Sequence, residues 1–167
     1  MARLKTIDWI NDSARIVDQT LLPGELVYKD ILSTEDMCEA IKTLRVRGAP
    51  AIGVAAAFGV YLGVRNVPNS ASDALFESEL NKCANLLISS RPTAVNLAWA
   101  VRRMVRLAES TVGASMADRK NALLREALNI RDEDKRMCRS IGEFGLELIK
   151  DCKAVLTHCN AGGLATT

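Results

Sequence analysis

Histidine is nearly absent from this sequence: His158 is the one in 167 residues. A metal site assembled from imidazole and thiolate is therefore poorly supplied. The five cysteines, Cys38, Cys83, Cys138, Cys152 and Cys159, contain no C-x-x-C pair that would bind zinc or exchange a disulfide. Excess charge of either sign is also missing. The 22 lysines and arginines face 20 aspartates and glutamates, a formal net charge of +2, which argues against nucleic acid or an anionic membrane as the main partner. Nor is there a long apolar run: the longest uncharged stretch, residues 49–64, falls short of the ~20 residues a bilayer span needs. The opening MARLKTIDWINDSAR lacks the apolar segment of a signal peptide, which predicts a cytoplasmic protein with reduced thiols.

What is present is enough apolar material, 49% of residues, to bury a core, and a change of pattern along the chain. Three β-branched and aromatic segments, KTIDWI, ARIVDQT and ELVYKDI, are separated by the turn formers Asn11-Asp12-Ser13 and Leu22-Pro23-Gly24. They predict a small antiparallel sheet within residues 1–32. From Ser33 the spacing becomes helical, opening on an N-cap and acidic first turn, Ser33-Thr34-Glu35-Asp36. Helices are predicted over 34–44, 50–64, 72–88, 92–109 and 116–150. The last is expected to bend or break at Gly142 and Gly145, each of which lowers helix propensity by about 1 kcal/mol. Gly59 and Gly63, in GVYLG, mark a close helix contact. After Asp151, residues 152–159 read as a buried parallel strand and Asn160-Ala161-Gly162-Gly163 as the turn that follows it. The class is α+β, with residues 1–150 as one domain and 151–167 as the beginning of a second.

Two places share one construction. Arg47-Gly48-Ala49-Pro50 and Ser89-Ser90-Arg91-Pro92-Thr93 each put an arginine just before a proline suited to the first position of a helix. Unpaired N–H groups and the helix dipole favour an anion there, and the guanidinium adds a bidentate grip. Gly48 permits close approach of a ligand to the backbone. Either arginine alone is also what a solvated surface looks like; the repetition points to a small anionic substrate such as a sugar phosphate. His158 and Cys159 are adjacent on the expected strand and so face opposite ways, which excludes them as a nucleophile–base pair. Cys159 reads either as an inert buried thiol or as a reactive one at a strand tip, beside a loop rich in backbone donors. The other four cysteines read as packing residues. His158 fits a core, a loop-orienting or a ligand-contacting role.

RVRGAPAIGVAAAFGVYLG at 45–63, SRPTAVNLAWAVRRM at 90–104 and LTHCNAGGLAT at 156–166 together resemble the methylthioribose-1-phosphate isomerases, and TIDWINDSARIVDQTLLPGELVY resembles that family's opening sheet. The resemblance implies conversion of methylthioribose 1-phosphate to methylthioribulose 1-phosphate in methionine salvage, by a homodimer with neither metal nor organic cofactor. It implies substrate contacts at Arg47, Gly48, Ala49 and Arg91, with Cys159 as the active-site cysteine. Family members are about twice this length, and their general-acid aspartate lies beyond this terminus. Residues 151–167 are thus expected to be the first strand and loop of a truncated Rossmann-like domain, and the chain by itself to be inactive or nearly so. Two alternatives share the fold: a ribose-1,5-bisphosphate isomerase, distinguished by its substrate-tail pocket, and a non-catalytic subunit of the translation-initiation-factor exchange complex.

Overall fold

The hairpin that begins the fold turns on Asn11 and Asp12, whose φ angles of 50° and 58° give the two-residue turn that matches the twist of paired strands. It joins β1 (Ile7–Ile10) to β2 (Ser13–Val17), and β3 (Tyr28–Ile31) pairs on the other side of β2, all antiparallel. The register sets Ile7 opposite Ile16 and Ala14 opposite Ile31, and these four are fully buried. The computed structural model describes residues 4–159 and 161–167. Five helices follow the sheet: α1 (Thr34–Lys42), α2 (Ala49–Val64), α3 (Asp73–Ser90), α4 (Val95–Ser110) and α5 (Met116–Ile149). The small sheet and helical body predicted from the sequence are both present. Among the described residues no helix is long and apolar enough to cross a membrane.

The apolar helix α2 is the centre of the molecule, with α1, α3, α4 and α5 packed around it. A helix that is apolar on every side must be enclosed, and α2 is. Its two glycines allow the closest approaches. A Cβ on Gly59 would press against Leu87 and Met37, and one on Gly63 would fall inside 3.0 Å of Cys83 Sγ and Thr34 Oγ1. Thr34 uses this proximity to donate to the Gly59 carbonyl at 2.7 Å. Gly63→Ala is expected to lower the unfolding free energy by about 1–2 kcal/mol, because the Cys83 thiol can rotate away but the Thr34 hydroxyl must yield its bond. Urea denaturation checks this; unchanged stability would mean the helices separate freely.

Two buried carboxylates tie the sheet to the helices. Asp8, on β1, accepts from Lys5 Nζ at 2.8 Å, its neighbour's Trp9 N–H at 2.9 Å and Arg131 Nη1 of α5 at 2.6 Å. Asp18, after β2, accepts from Thr20 and from Arg45, which also grips Glu39. Burial acts to raise both carboxyls. At Asp8 the bonds from Lys5 and Trp9 and the charges of Lys135 and Arg131 outweigh it; at Asp18 Thr20 and Arg45 do, so both end below the ordinary value. A carboxyl lowered on folding adds stability at every pH above its unfolded value and loses it as pH falls through its folded one. Unfolding free energy should therefore decline as pH drops from about 5 towards 2. Asp8→Asn should weaken the protein near neutrality and flatten part of that decline; an unchanged pH profile would remove Asp8 as its source.

Three expectations fail. The break allowed for in the long helix does not occur: α5 continues for 34 residues through Gly142 and Gly145. The cost of about 1 kcal/mol per glycine is spread along a continuous hydrogen-bond ladder that Arg139–Glu143 and Lys150–Glu147 ion pairs support. Residues 152–159 form no strand and lie exposed. A parallel strand needs a neighbour for its backbone groups, and the described residues provide none. Helix α4 begins at Val95, capped by Ala94, so Pro92 does not open it. Instead Arg91-Pro92-Thr93-Ala94 is a turn closed by Ala94 N–H to the Arg91 carbonyl at 3.0 Å. The extended backbone of Arg91 (φ −147°, ψ 85°) is what a residue before proline prefers.

Candidate functional site at the first turn of α2

Gly48 caps α2 with φ +88°, a conformation glycine adopts without strain, and Pro50 follows inside the first turn. No side chain caps this end. Pro50 has no N–H to offer, and the Ala51 N–H is taken by the carbonyl of Ala165 at 3.1 Å. The amides of Gly48 and Ala49 have no acceptor among the described residues, so two backbone donors at the positive end of a helix dipole stay available.

The C-terminal segment is what presses on this turn. A Cβ on Gly48 would sit inside 3.0 Å of Ala165 Cα, Cβ and O, so glycine here permits a close approach of the chain's own backbone. Three successive carbonyls are held from three directions: Gly163 by Thr6 Oγ1, Leu164 by Gln19 Nε2 at 2.8 Å, and Ala165 by the Ala51 amide. Thr167 then binds Asp134 of α5 through its N–H at 2.9 Å and its hydroxyl at 2.7 Å. Gln19 has a second duty, because its own N–H bonds the Arg45 carbonyl at 3.1 Å beside the Arg47 loop. None of Thr6, Gln19, Asp134 or Thr167 was singled out by the sequence reading; Gln19 lies in the VDQT stretch, which gave no local sign of this role.

Arg47 is exposed and Arg91 half-buried, and neither side chain has an ion-pair or hydrogen-bond partner among the described residues. Their neighbours differ. Arg45, two residues before Arg47, is fixed by Asp18 and Glu39. Arg103, on α4, is clamped by Glu126 at 2.5 Å and by both oxygens of Glu133 at 2.5 and 2.8 Å, with the Glu133 bond the main cause of its raised pKa. Arg47 and Arg91 are left with free guanidinium groups. Helix α4, which the Arg91 turn leads into, touches α2 at Gly53, where an added Cβ would lie 3.2 Å from the Asn96 carbonyl. The first two turns of α2 thus bear the Arg47 loop, the start of α4 and the docked C-terminal segment.

Cys159 is exposed, in the left-handed region at φ +60°, and precedes that segment. Asn160, expected to add donors beside it, lies outside the described residues. The remaining thiols divide. Cys38 and Cys83 are buried, and burial pushes the Cys83 thiol up against the lowering effect of Thr34. Cys138 is half-buried, and Cys152 is exposed rather than packed as the sequence suggested. Among the described residues no three His, Cys, Asp or Glu side chains gather as a metal site would require.

Residues 45–166 match the Initiation factor 2 subunit family. A 5-deoxyribose 1-phosphate isomerase of Moorella thermoacetica is 53% identical over 160 residues, which are 96% of this chain and 45% of that protein. The crystal structure of 5-methylthioribose 1-phosphate isomerase from Pyrococcus horikoshii OT3 superposes with a TM-score of 0.85 at 37% identity, covering 97% of this chain and 45% of its own. The structure of the translation initiation factor eIF-2B subunit delta from A. fulgidus does so with a TM-score of 0.86 at 40% identity, covering 98% and 47%. The chain spans about half the length of the curated relatives it matches.

Proposed function

Because the chain belongs to the Initiation factor 2 subunit family, we propose that it is part of an aldose–ketose isomerase that converts a pentose 1-phosphate, methylthioribose 1-phosphate, into methylthioribulose 1-phosphate. The observation that carries this reading is the pair of unpartnered arginine side chains, Arg47 immediately before two open amides at the start of α2 and Arg91 on the turn that leads into α4. Arg47 and the Gly48 and Ala49 amides hold the phosphate; Arg91 holds phosphate or sugar from the α4 side. Cys159, exposed and close in sequence to the segment docked on Gly48, assists at the reacting carbons.

The chemistry sets a further requirement. The anomeric oxygen carries phosphate, so the ring opens only as its ring oxygen takes a proton, after which hydrogen moves from C2 to C1 and C2 becomes the ketone. Arginine is a poor proton donor, since it holds its proton throughout the accessible pH range. The acid therefore comes from residues other than Arg47 and Arg91, and we assign it to the part of the relatives' length that this chain does not span. On this reading the 167-residue chain binds sugar phosphate but forms little ketose, and the catalytic assembly is a homodimer. Sedimentation that finds only monomer in the catalytically active protein would remove the dimer.

Arg47→Ala and Arg91→Ala should each weaken binding of methylthioribose 1-phosphate by roughly tenfold to a hundredfold, the worth of a charge-assisted bond of about 1.5–3 kcal/mol. Arg102→Ala, at another exposed arginine, should leave it unchanged. Calorimetric titration makes the comparison, and parent-like binding by both of the first two variants would defeat the proposal. A second reading, a protein-binding subunit without catalysis, is favoured by the likeness to the eIF-2B delta structure. Capture of translation-factor subunits together with no affinity for sugar phosphate would select it.

A further inference from the structure

Helix α5 leaves the body of the fold before it ends. Residues 136–149 are exposed except for half-buried Cys138 and Gly145. A helix of that length, open to water on every side, is marginal by itself, and this one displays a stripe of large apolar side chains. Met137, Ile141, Phe144 and Leu148 are 61, 65, 82 and 83% exposed, at intervals of four, three and four residues that put them on one face. The same spacing runs back towards the start of the helix through Ile130, Ala127 and Leu123, all buried in the core, and is interrupted only by Asp134, which Thr167 occupies. The face that α5 packs into the core therefore continues, uncovered, for about three more turns.

At its inner end this stripe opens on a cavity of ≈ 420 Å³ between α2, α4 and α5. Ile130 and Met137 form its α5 side, and Val95 and Trp99, both exposed, its α4 side. A row of projecting apolar side chains thus adjoins an apolar recess, and an isologous pair of copies uses each part twice. Charge sets the direction of the pairing. Residues 135–140 hold Lys135, Arg136 and Arg139 and no carboxylate, whereas residues 141–151 hold Glu143, Glu147 and Asp151 against Lys150. Antiparallel helices set unlike halves side by side with opposed dipoles; parallel ones set like on like. Cys138, Ser140 and Gly145, next to the stripe, are small enough to let two helix axes come close.

We infer that this chain pairs with a second copy of itself through the end of α5, antiparallel, with Met137 facing the partner's Leu148 and Ile141 facing the partner's Phe144. The partner's Leu148 then meets the mouth of the cavity beside Trp99 and Val95. The catalytic dimer proposed above specifies no face; this pairing does, and it stands without the phosphate site. One helix face and the rim of a cavity make a small interface, so the dimer is reversible, with a dissociation constant of roughly 1–100 µM.

Sedimentation of the 167-residue chain over a range of concentrations tests this, with the indole resonance of Trp99 as the local reporter. Trp9, the other tryptophan, is stacked on Phe58, and dimer formation should move Trp99 and leave Trp9 in place. Phe144→Glu changes a side chain that the monomer leaves in water; it should weaken the dimer at least about tenfold and leave binding of inorganic phosphate as in the parent. Leu26→Glu, at an exposed leucine outside α4 and α5, should change neither. Arg136→Glu combined with Arg139→Glu should weaken an antiparallel pair, and a tighter dimer would overturn that direction. A chain still monomeric at about 0.5 mM, or a dimer indifferent to Phe144→Glu, would overturn the inference. A dimer that leaves Trp99 unmoved would overturn the seat at the cavity, and absence of phosphate binding in an intact dimer would count against the phosphate site alone.

Discussion

Arg119→Ala should cost about 3–5 kcal/mol of folding stability. Arg119 is fully buried near the start of α5. Its Nη1 donates to Asp73, in the first turn of α3, at 2.5 Å, and its Nη2 to the Ala108 carbonyl, near the end of α4, at 3.1 Å. The guanidinium also lies 4.4 Å from the Phe76 ring centroid. A cation at the start of its own helix is badly placed for the dipole, and one at the carboxyl end of α4 is well placed. Three helices are joined through one side chain. Asp73 is about half exposed and can be rehydrated, so the loss comes mainly from the void beside Phe76 and the stranded carbonyl. Arg119→Met keeps most of the volume and should lose only about 1–2 kcal/mol. A fall in urea midpoint at constant slope reads both values. Equal losses from the two variants would show that charge, not packing, is what the position needs.

Gly48→Ala should release the C-terminal segment from α2. The substitution imposes about 1–3 kcal/mol of backbone strain at φ +88° and drives a methyl group into the backbone of Ala165. The cheapest response is for residues 163–167 to lift, breaking the Thr6, Gln19 and Ala51 bonds together. Hydrogen exchange at the Ala51 amide should then speed up by at least about tenfold, since its acceptor has gone. Gly113 supplies the control. It has the same φ of +88° and nothing within 4 Å of an added Cβ. Gly113→Ala should therefore carry the strain and leave the Ala51 amide protected. If both variants protect Ala51 equally, contact with Gly48 is not what seats the segment.

Most helices and strands were readable because their signals are local. Ser33, Ser72 and Ser115 each accept from a first-turn amide as N-caps do, and the apolar run of α2 has no stable place except inside. Where the reading failed, a local rule met a non-local condition. The apolar pattern at 152–159 is that of a strand, but a strand exists only beside another. Arg91-Pro92 has the composition of a helix start, yet proline pushed its predecessor into an extended shape and the helix waited until Val95. Gly142 and Gly145 lower propensity, and a long ladder absorbed the deficit.

The same division holds for the candidate site. Arg47, Gly48, Ala49, Arg91 and Cys159 could be nominated from composition and resemblance, because reactive and anion-binding groups belong to few residue types. Which arginines remain free could not be. Arg45 and Arg47 are alike in sequence, and only folding brought Asp18 and Glu39 to one and left the other unpaired. The clasp around residues 163–167 was likewise invisible, since Thr6, Gln19 and Ala51 reach residues more than a hundred positions away through backbone carbonyls that every amino acid possesses, and Asp134 takes the Thr167 amide and hydroxyl from another element. The sequence by itself determined the α+β class, the elements and the chemical groups on hand, all of which follow from short-range sterics and side-chain type. The tertiary structure decided which charges are cancelled, which helix end stays open and where a cavity forms, because these depend on long-range contacts that local pattern does not encode.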